Sequence, residues 1–120
     1  MRRATRGALG VVALAVTALV APVATSSAAL AHAPCGRTVS DRDSSSWPTG
    51  ADAVRHRSGS STSCDINGIA YSSHRLDYHC YTVGNDGYTW TYVRNDATGV
   101  QGWTRDDLLP GYGSFVYCGF

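Results

Sequence analysis

The residues best suited to chemistry lie in one stretch near the end of the chain, GYTWTYVRNDATGVQGWTRDDLL, residues 87–109. If its first part is a β-strand, Tyr88, Trp90 and Tyr92 share one face, because side chains alternate along a strand. The intervening threonine and valine take the other face, which we predict to be the core of a small fold. The aromatic row then lies on the outer surface, where flat rings with a polar edge can stack on sugars or extended peptides.

Further residues extend this candidate binding surface. Trp103 follows a glycine at the start of the next predicted strand and can complete the row. A guanidinium and a carboxylate at the rim would add polar contacts. The alternative is that the rings cover the end of the fold and form cross-strand pairs. The predicted ligand-binding set is Tyr88, Trp90, Tyr92, Trp103, Arg57 and Asp106.

The sequence has no constellation typical of a hydrolase. Asp106 and Asp107 are adjacent, so on a strand they point to opposite faces, whereas at the start of a helical turn they act as caps. The G-x-S-x-G nucleophile motif and the calcium-loop pattern are both absent from the sequence. We therefore expect a protein without enzymatic activity and without a cofactor.

Metal ligands are present, but not at a recognised spacing. His74 and His79 could combine with the thiols of Cys64 and Cys80, yet the spacing is not that of a zinc finger and export would oxidise the thiols. His32 would be the first residue after signal cleavage, as in copper-dependent polysaccharide monooxygenases, but no other feature of those enzymes is visible. We expect no metal site.

The first 31 residues have the layout of a secretory signal peptide. Three arginines precede an apolar run, and the small-residue box ALA ends at Ala31, where we place the cut. The remaining 89 residues carry seven arginines and nine aspartates, a formal net charge of −2. This balance does not favour nucleic acid or anionic lipid, and the longest basic cluster is only Arg55–Arg57. We expect a secreted monomer, extracellular or associated with the cell wall.

The number and the position of the cysteines are typical of a secreted protein. All four lie in the mature part, and an even number in a small secreted chain indicates two disulfides. Three pairings are open. We favour Cys64–Cys80, which would tie neighbouring strands, with Cys35–Cys118, which would fasten both ends.

The mature chain divides at about residue 54. Residues 32–53 are rich in serine, aspartate and glycine and are predicted to form a mobile or loosely docked arm. Residues 54–120 contain short β-rich runs separated by turn signals, among them GNDG and NDATG. The predicted class is all-β, a small barrel of five to six short antiparallel strands that includes a C-terminal strand, SFVYCGF.

Four short motifs in order resemble the secreted bacterial Src-homology-3-like domain. They are Val54 with RSG at 57–59, Ile66 with Gly68, Gly87 with Trp90 and Val93, and GWT followed by DDLL at 102–109. His56 and Ser60 depart from the family pattern. The resemblance implies a strongly bent small barrel and non-catalytic binding, often of cell-wall peptidoglycan or a peptide. The function we expect is such a binding module; the alternative is a secreted effector or inhibitor that binds an extracellular protein.

Overall fold

The computed structural model describes residues 32–120, so the predicted signal peptide lies outside the described residues. The fold is all-β, as predicted, with six antiparallel strands in one sheet and two disulfides. No helix within residues 32–120 has the length and apolar character needed to cross a membrane. The strands are β1 (Ser46–Pro48), β2 (Val54–Arg57), β3 (Ile66–Ala70), β4 (Arg75–Val83), β5 (Thr89–Asn95) and β6 (Gln101–Arg105), in the sheet order β1-β4-β5-β6-β2-β3.

The two predicted hairpin turns connect the central strands. Between β4 and β5, the Gly84 amide donates to the Tyr88 carbonyl at 2.7 Å, and Gly87 has a φ of 85°. Between β5 and β6, the Gly99 amide donates to the Asn95 carbonyl at 2.7 Å, again with a positive φ of 77° at the glycine. Only glycine adopts this backbone without strain, so these turns fix where each strand ends.

Both faces of the central sheet are buried. The first core lies on the tryptophan side, and the second core lies on the side of Val93. Strand β5 serves both, because Trp90 and Tyr92 face the first core while Val93 faces the second. The first core contains Ala33, Cys80, Trp90, Tyr92, Trp103 and Cys118; the second contains Val54, Ala70, Leu76, Tyr78, Val93 and Leu109.

The N-terminal arm covers the first core, and this differs from the prediction of a loose segment. The Trp103 indole Nε1 donates to the Arg37 carbonyl at 2.8 Å, and Ala33 is fully buried. Gly59 makes the close approach possible, because a Cβ there would lie 2.7 Å from the Ala33 carbonyl oxygen. Further along, the arm adds β1 to the edge of β4. The arm is therefore part of the folded domain.

The C-terminal tail covers the same face. The prediction of a strand over residues 114–120 is wrong, since within the described chain this segment contributes an isolated parallel bridge between Tyr81 and Tyr117. It packs through its last residue instead. The Phe120 ring lies edge-on to Trp103 at 6.2 Å, and the Arg37 guanidinium lies 3.8 Å from its centroid.

The disulfides fasten these two covering segments. The observed pairs are Cys35–Cys64, separated by 29 residues, and Cys80–Cys118, separated by 38 residues. The predicted pairing of Cys64 with Cys80 and of Cys35 with Cys118 is wrong. The physical reason is that each covering segment is tied to the body beneath it, the arm to the loop after β2 and the tail to β4.

Two short 3₁₀ turns follow β6. The first spans Asp106–Leu108 and the second spans Pro110–Tyr112. Asp106 is the first residue of the turn but does not cap it, because Arg105 occupies the cap position and makes no side-chain cap bond.

Candidate functional site

The predicted aromatic surface is mostly inside the protein. Trp90, Tyr92 and Trp103 are 2%, 4% and 0% exposed, so the prediction that they form an outer surface is wrong. The arm and the tail cover these side chains. Neither segment has the periodic apolar pattern from which its packing against the sheet could be predicted. Tyr88 is 45% exposed and remains at the surface. The alternative interpretation, that the rings cover the fold and pair across strands, matches the 5.0 Å edge contact between Tyr92 and Trp103.

The two residues predicted to form the polar rim, Arg57 and Asp106, lie in different environments. Arg57 is partly buried, and its Nη1 donates to the carbonyls of Thr62 and Cys64, both at 3.0 Å. Asp106 is 2% exposed and accepts a bond of 2.5 Å from the Thr91 hydroxyl. Burial raises the pKa of Asp106 to about 6. Asp106 is therefore an internal carboxyl rather than a rim residue.

A second internal titratable group is His56, which is fully buried. The Thr104 hydroxyl donates to the Arg55 carbonyl at 2.9 Å, so its oxygen must accept from His56 Nδ1 at 2.8 Å. This arrangement requires a proton on Nδ1. Burial, and secondarily His74, lower the pKa of His56 to about 4.

An open groove of about 470 Å³ lies between the β1–β2 connection, the loop after β2 and the 3₁₀ turn after β6. Two predicted site residues, Arg57 and Trp90, help to line it. The other predicted residues do not. The complete lining is Ala51, Asp52, Ala53, Val54, Arg55, Arg57, Thr62, Trp90, Arg105, Asp107 and Leu108.

The arginines give the groove its polar character. The Arg105 Nε and Nη2 donate to the two carboxylate oxygens of Asp107 at 2.7 and 3.0 Å. The same guanidinium lies 4.3 Å from the Tyr88 ring centroid and 3.7 Å from Asp86. These contacts hold one face of Arg105 in place. The Arg55 side chain is exposed, and within residues 32–120 it has no hydrogen bond or ion pair.

The apolar part of the groove is small and has a fixed position. The Trp90 indole Nε1 donates to Asp86 Oδ1 at 3.1 Å, and the Tyr88 amide donates to the same oxygen at 3.0 Å. Gly84 leaves no room for a side chain beside the indole. Leu108, 48% exposed, faces the groove from the 3₁₀ turn. The site thus combines guanidinium donors with a narrow apolar strip.

Sequence reasoning missed Arg55, Arg105 and Leu108. Arg55 and Arg105 lie on β2 and β6, which pair side by side through Arg57 and Trp103. That pairing brings separated arginines together, but it is visible only once the strand order is known.

The thiol ligands considered for zinc are excluded by the disulfides. Cys64 and Cys80 belong to different disulfides, and no free cysteine occurs in the described part of the chain. His74 Nδ1 pairs with the Asn95 amide at 2.9 Å. The combination of His74, His79, Cys64 and Cys80 considered as a zinc site therefore cannot bind zinc through thiolates.

Fold and groove together define a small all-β protein with two disulfides and an open, arginine-lined groove. Comparison with family models, curated proteins and solved structures finds no match for this chain.

Proposed function

We propose that this protein is a secreted, non-catalytic binding module, related to the bacterial Src-homology-3-like domains, that binds cell-wall peptidoglycan through its stem peptide. The observation that carries the proposal is the arginine-lined groove. The two disulfides agree with an oxidising, extracellular location.

Three arginines and two aspartates line the groove, and this net positive charge fits a peptide that bears carboxylates. Arg55 is exposed at the groove and its guanidinium has no hydrogen bond or ion pair within residues 32–120, and Arg105 is oriented by Asp107 and Asp86. Guanidinium groups bind carboxylates through paired, charge-assisted hydrogen bonds. A stem peptide presents free carboxylates along an extended backbone, so it offers the complementary groups.

The shape of the groove fits a short segment rather than a folded surface. Its volume of about 470 Å³ is within the range of roughly 300–1,000 Å³ that is common for small-ligand sites. The Trp90 edge and Leu108 provide apolar contact for the methyl groups of alanine-like side chains.

Sedimentation with purified cell wall tests this proposal. We expect Arg55→Ala and Arg105→Ala each to weaken binding by about ten- to a hundred-fold, since a hydrogen bond to a charged group contributes roughly 1.5–3 kcal/mol. Arg75→Ala is the matched control, because Arg75 bonds to Ser46 on β1 and does not line the groove.

Two outcomes would overturn the proposal. One is equal binding by the groove variants and the Arg75 control. The other is undiminished binding to glycan strands from which the stem peptides have been removed enzymatically.

A second candidate function is a secreted effector or inhibitor that binds an extracellular protein, and a different surface favours it. Tyr112, Phe115 and Tyr117 are 53%, 83% and 50% exposed near the C-terminus. Exposed aromatic side chains are enriched at protein interfaces. Phe115→Ser with Tyr117→Ser would abolish capture of an exported partner protein under this alternative. The same double variant should leave wall binding through the groove unchanged.

A further inference from the structure

Outside the groove, three potential metal ligands converge where the arm crosses β4. His79 Nε2 lies 3.3 Å from Asp77 Oδ2 and 3.9 Å from Asp41 Oδ2. One ligand atom from each of the three residues lies within 4.8 Å of the others. Asp77 and His79 come from β4 and Asp41 from the arm, so an ion bound here would join the two segments.

The buried histidine is the second observation that points to a ligand. His79 is 6% exposed, yet neither of its ring nitrogens has a hydrogen-bond partner within the described residues. An unsatisfied buried polar side chain is costly. A cation bound at Nε2 would satisfy this nitrogen, and the Tyr92 ring, 5.4 Å from the imidazole, holds the ring in position.

A β-bulge sets the direction of His79. Tyr78 pairs with Val93 and Cys80 pairs with Tyr92, which leaves His79 as the extra residue of β4. Bulges redirect a side chain and occur often beside functional sites. Here the bulge places His79 on the same side as Cys80 and Tyr92, next to Asp77.

The distances match a small transition-metal ion. With zinc bonds of about 2.0–2.2 Å to nitrogen and oxygen, two ligands of a tetrahedral ion stand roughly 3.3–3.5 Å apart. The 3.3 Å between His79 Nε2 and Asp77 Oδ2 fits this value, although the two atoms do not meet in hydrogen-bond geometry. Asp41 is exposed, and its Oδ2 lies 3.9 Å from His79 Nε2, so its carboxylate would move inward to bind the same ion.

The local charge also favours a cation. Asp41 and Asp77 bring two carboxylates together, and the nearest guanidinium, Arg94, makes its close contacts with Asp96 at 3.0 and 3.1 Å. Arg94 lies farther from Asp77, at 3.6 Å. One imidazole with two carboxylates suits zinc and its neighbours, whereas calcium prefers six to eight oxygen ligands.

We propose that Asp41, Asp77 and His79 form a binding site for one divalent transition-metal ion, which fastens the N-terminal arm to β4. Water would complete the coordination. The site is independent of the groove and of the proposed wall binding.

Calorimetric titration with Zn²⁺ tests the site, using the full chain without a histidine tag, with both disulfides formed and after treatment with a chelator. We expect one equivalent to bind. Asp41→Asn and His79→Gln should each lower the affinity at least about ten-fold, the loss typical of disturbed metal sites. Asp41→Asn changes an exposed side chain and preserves the fold even if His79→Gln does not.

The histidines outside the site serve as controls. His74→Gln and His32→Gln should bind Zn²⁺ as the wild type does. The proposal is overturned if the wild type binds less than one equivalent, or if Asp41→Asn binds with unchanged affinity. It is also overturned if His32→Gln or His74→Gln alone removes the binding.

Discussion

The two buried titratable groups, His56 and Asp106, should have opposite effects on the pH dependence of stability. The pKa of His56 falls to about 4 in the folded protein, from about 6.5 in an unfolded chain. The stability that neutral His56 contributes is therefore complete above pH 6.5 and is lost as the pH falls toward 4. The pKa of Asp106 rises to about 6 from an ordinary value of 3.8. Its contribution is complete below pH 3.8 and is lost as the pH rises through 6.

The contributions of His56 and Asp106 to the pH dependence of the unfolding free energy nearly cancel. Between pH 4 and 6, the linkage relation gives a gain of about 2 kcal/mol in unfolding free energy from His56 and a loss of about 2 kcal/mol from Asp106. We expect these two groups together to change the stability of the wild type by less than about 1 kcal/mol across this interval. The pH-dependent contribution of one group can be measured only when the other group has been replaced.

Urea unfolding at pH 4, 5 and 6, with the disulfides intact, measures these contributions. Asp106→Asn keeps an oxygen acceptor for Thr91 and should become more stable by about 2 kcal/mol from pH 4 to pH 6. His56→Gln should become less stable by about 2 kcal/mol over the same interval.

The double variant, His56→Gln with Asp106→Asn, is the control and should regain the flat profile of the wild type. Parallel pH profiles for the wild type and both single variants would refute the assignment of these buried pKa values.

Two further predictions concern the covering segments. Replacing Cys35 and Cys64 together by alanine should lower the unfolding free energy by about 3–4 kcal/mol in the chain-entropy model, because the two cysteines are 29 residues apart. Urea unfolding measures this loss. A loss under about 1 kcal/mol would contradict the entropic account. Gly59→Ala should push the arm away from the Ala33 carbonyl at a cost of about 1–3 kcal/mol, and red-shift tryptophan fluorescence as Trp103 loses its bond to the arm. Unchanged fluorescence and stability would show that the arm tolerates a side chain at this position.

The sequence was sufficient to predict the strands that are bounded by turn chemistry. The GNDG and NDATG turns require glycines with positive φ, and the β-rich runs between them have the right length, so β4, β5 and β6 follow from local rules. The all-β class follows in turn from the number of such runs.

The covering segments could not be predicted because their stability depends on partners distant in sequence. The arm is held by the bond from Trp103 to Arg37 and by the disulfide to Cys64. Its own composition indicates only a polar linker. The Trp90 row is predicted to lie on the surface because a core this small is expected to take only one face of β5. The docked arm, through Ala33, provides a second core on the other face.

The candidate groove was predictable only in part. Arg57 and Trp90 were identified from their motifs, and both line it. Arg55 and Arg105 come together through the pairing of β2 with β6, which local patterns do not specify. The sequence therefore pointed to some correct residues but not to the surface that they share.

The order of the disulfides has a consequence for how the protein is made. The first cysteine along the chain pairs with the second, and the third with the fourth, so the two closed loops do not overlap. Cysteines oxidised in the order in which they emerge from a translocation channel would form these same pairs. Under the proposed secretion, the chain would reach its native bonds without rearrangement of non-native disulfides, a slow step in the maturation of many proteins whose bridges cross.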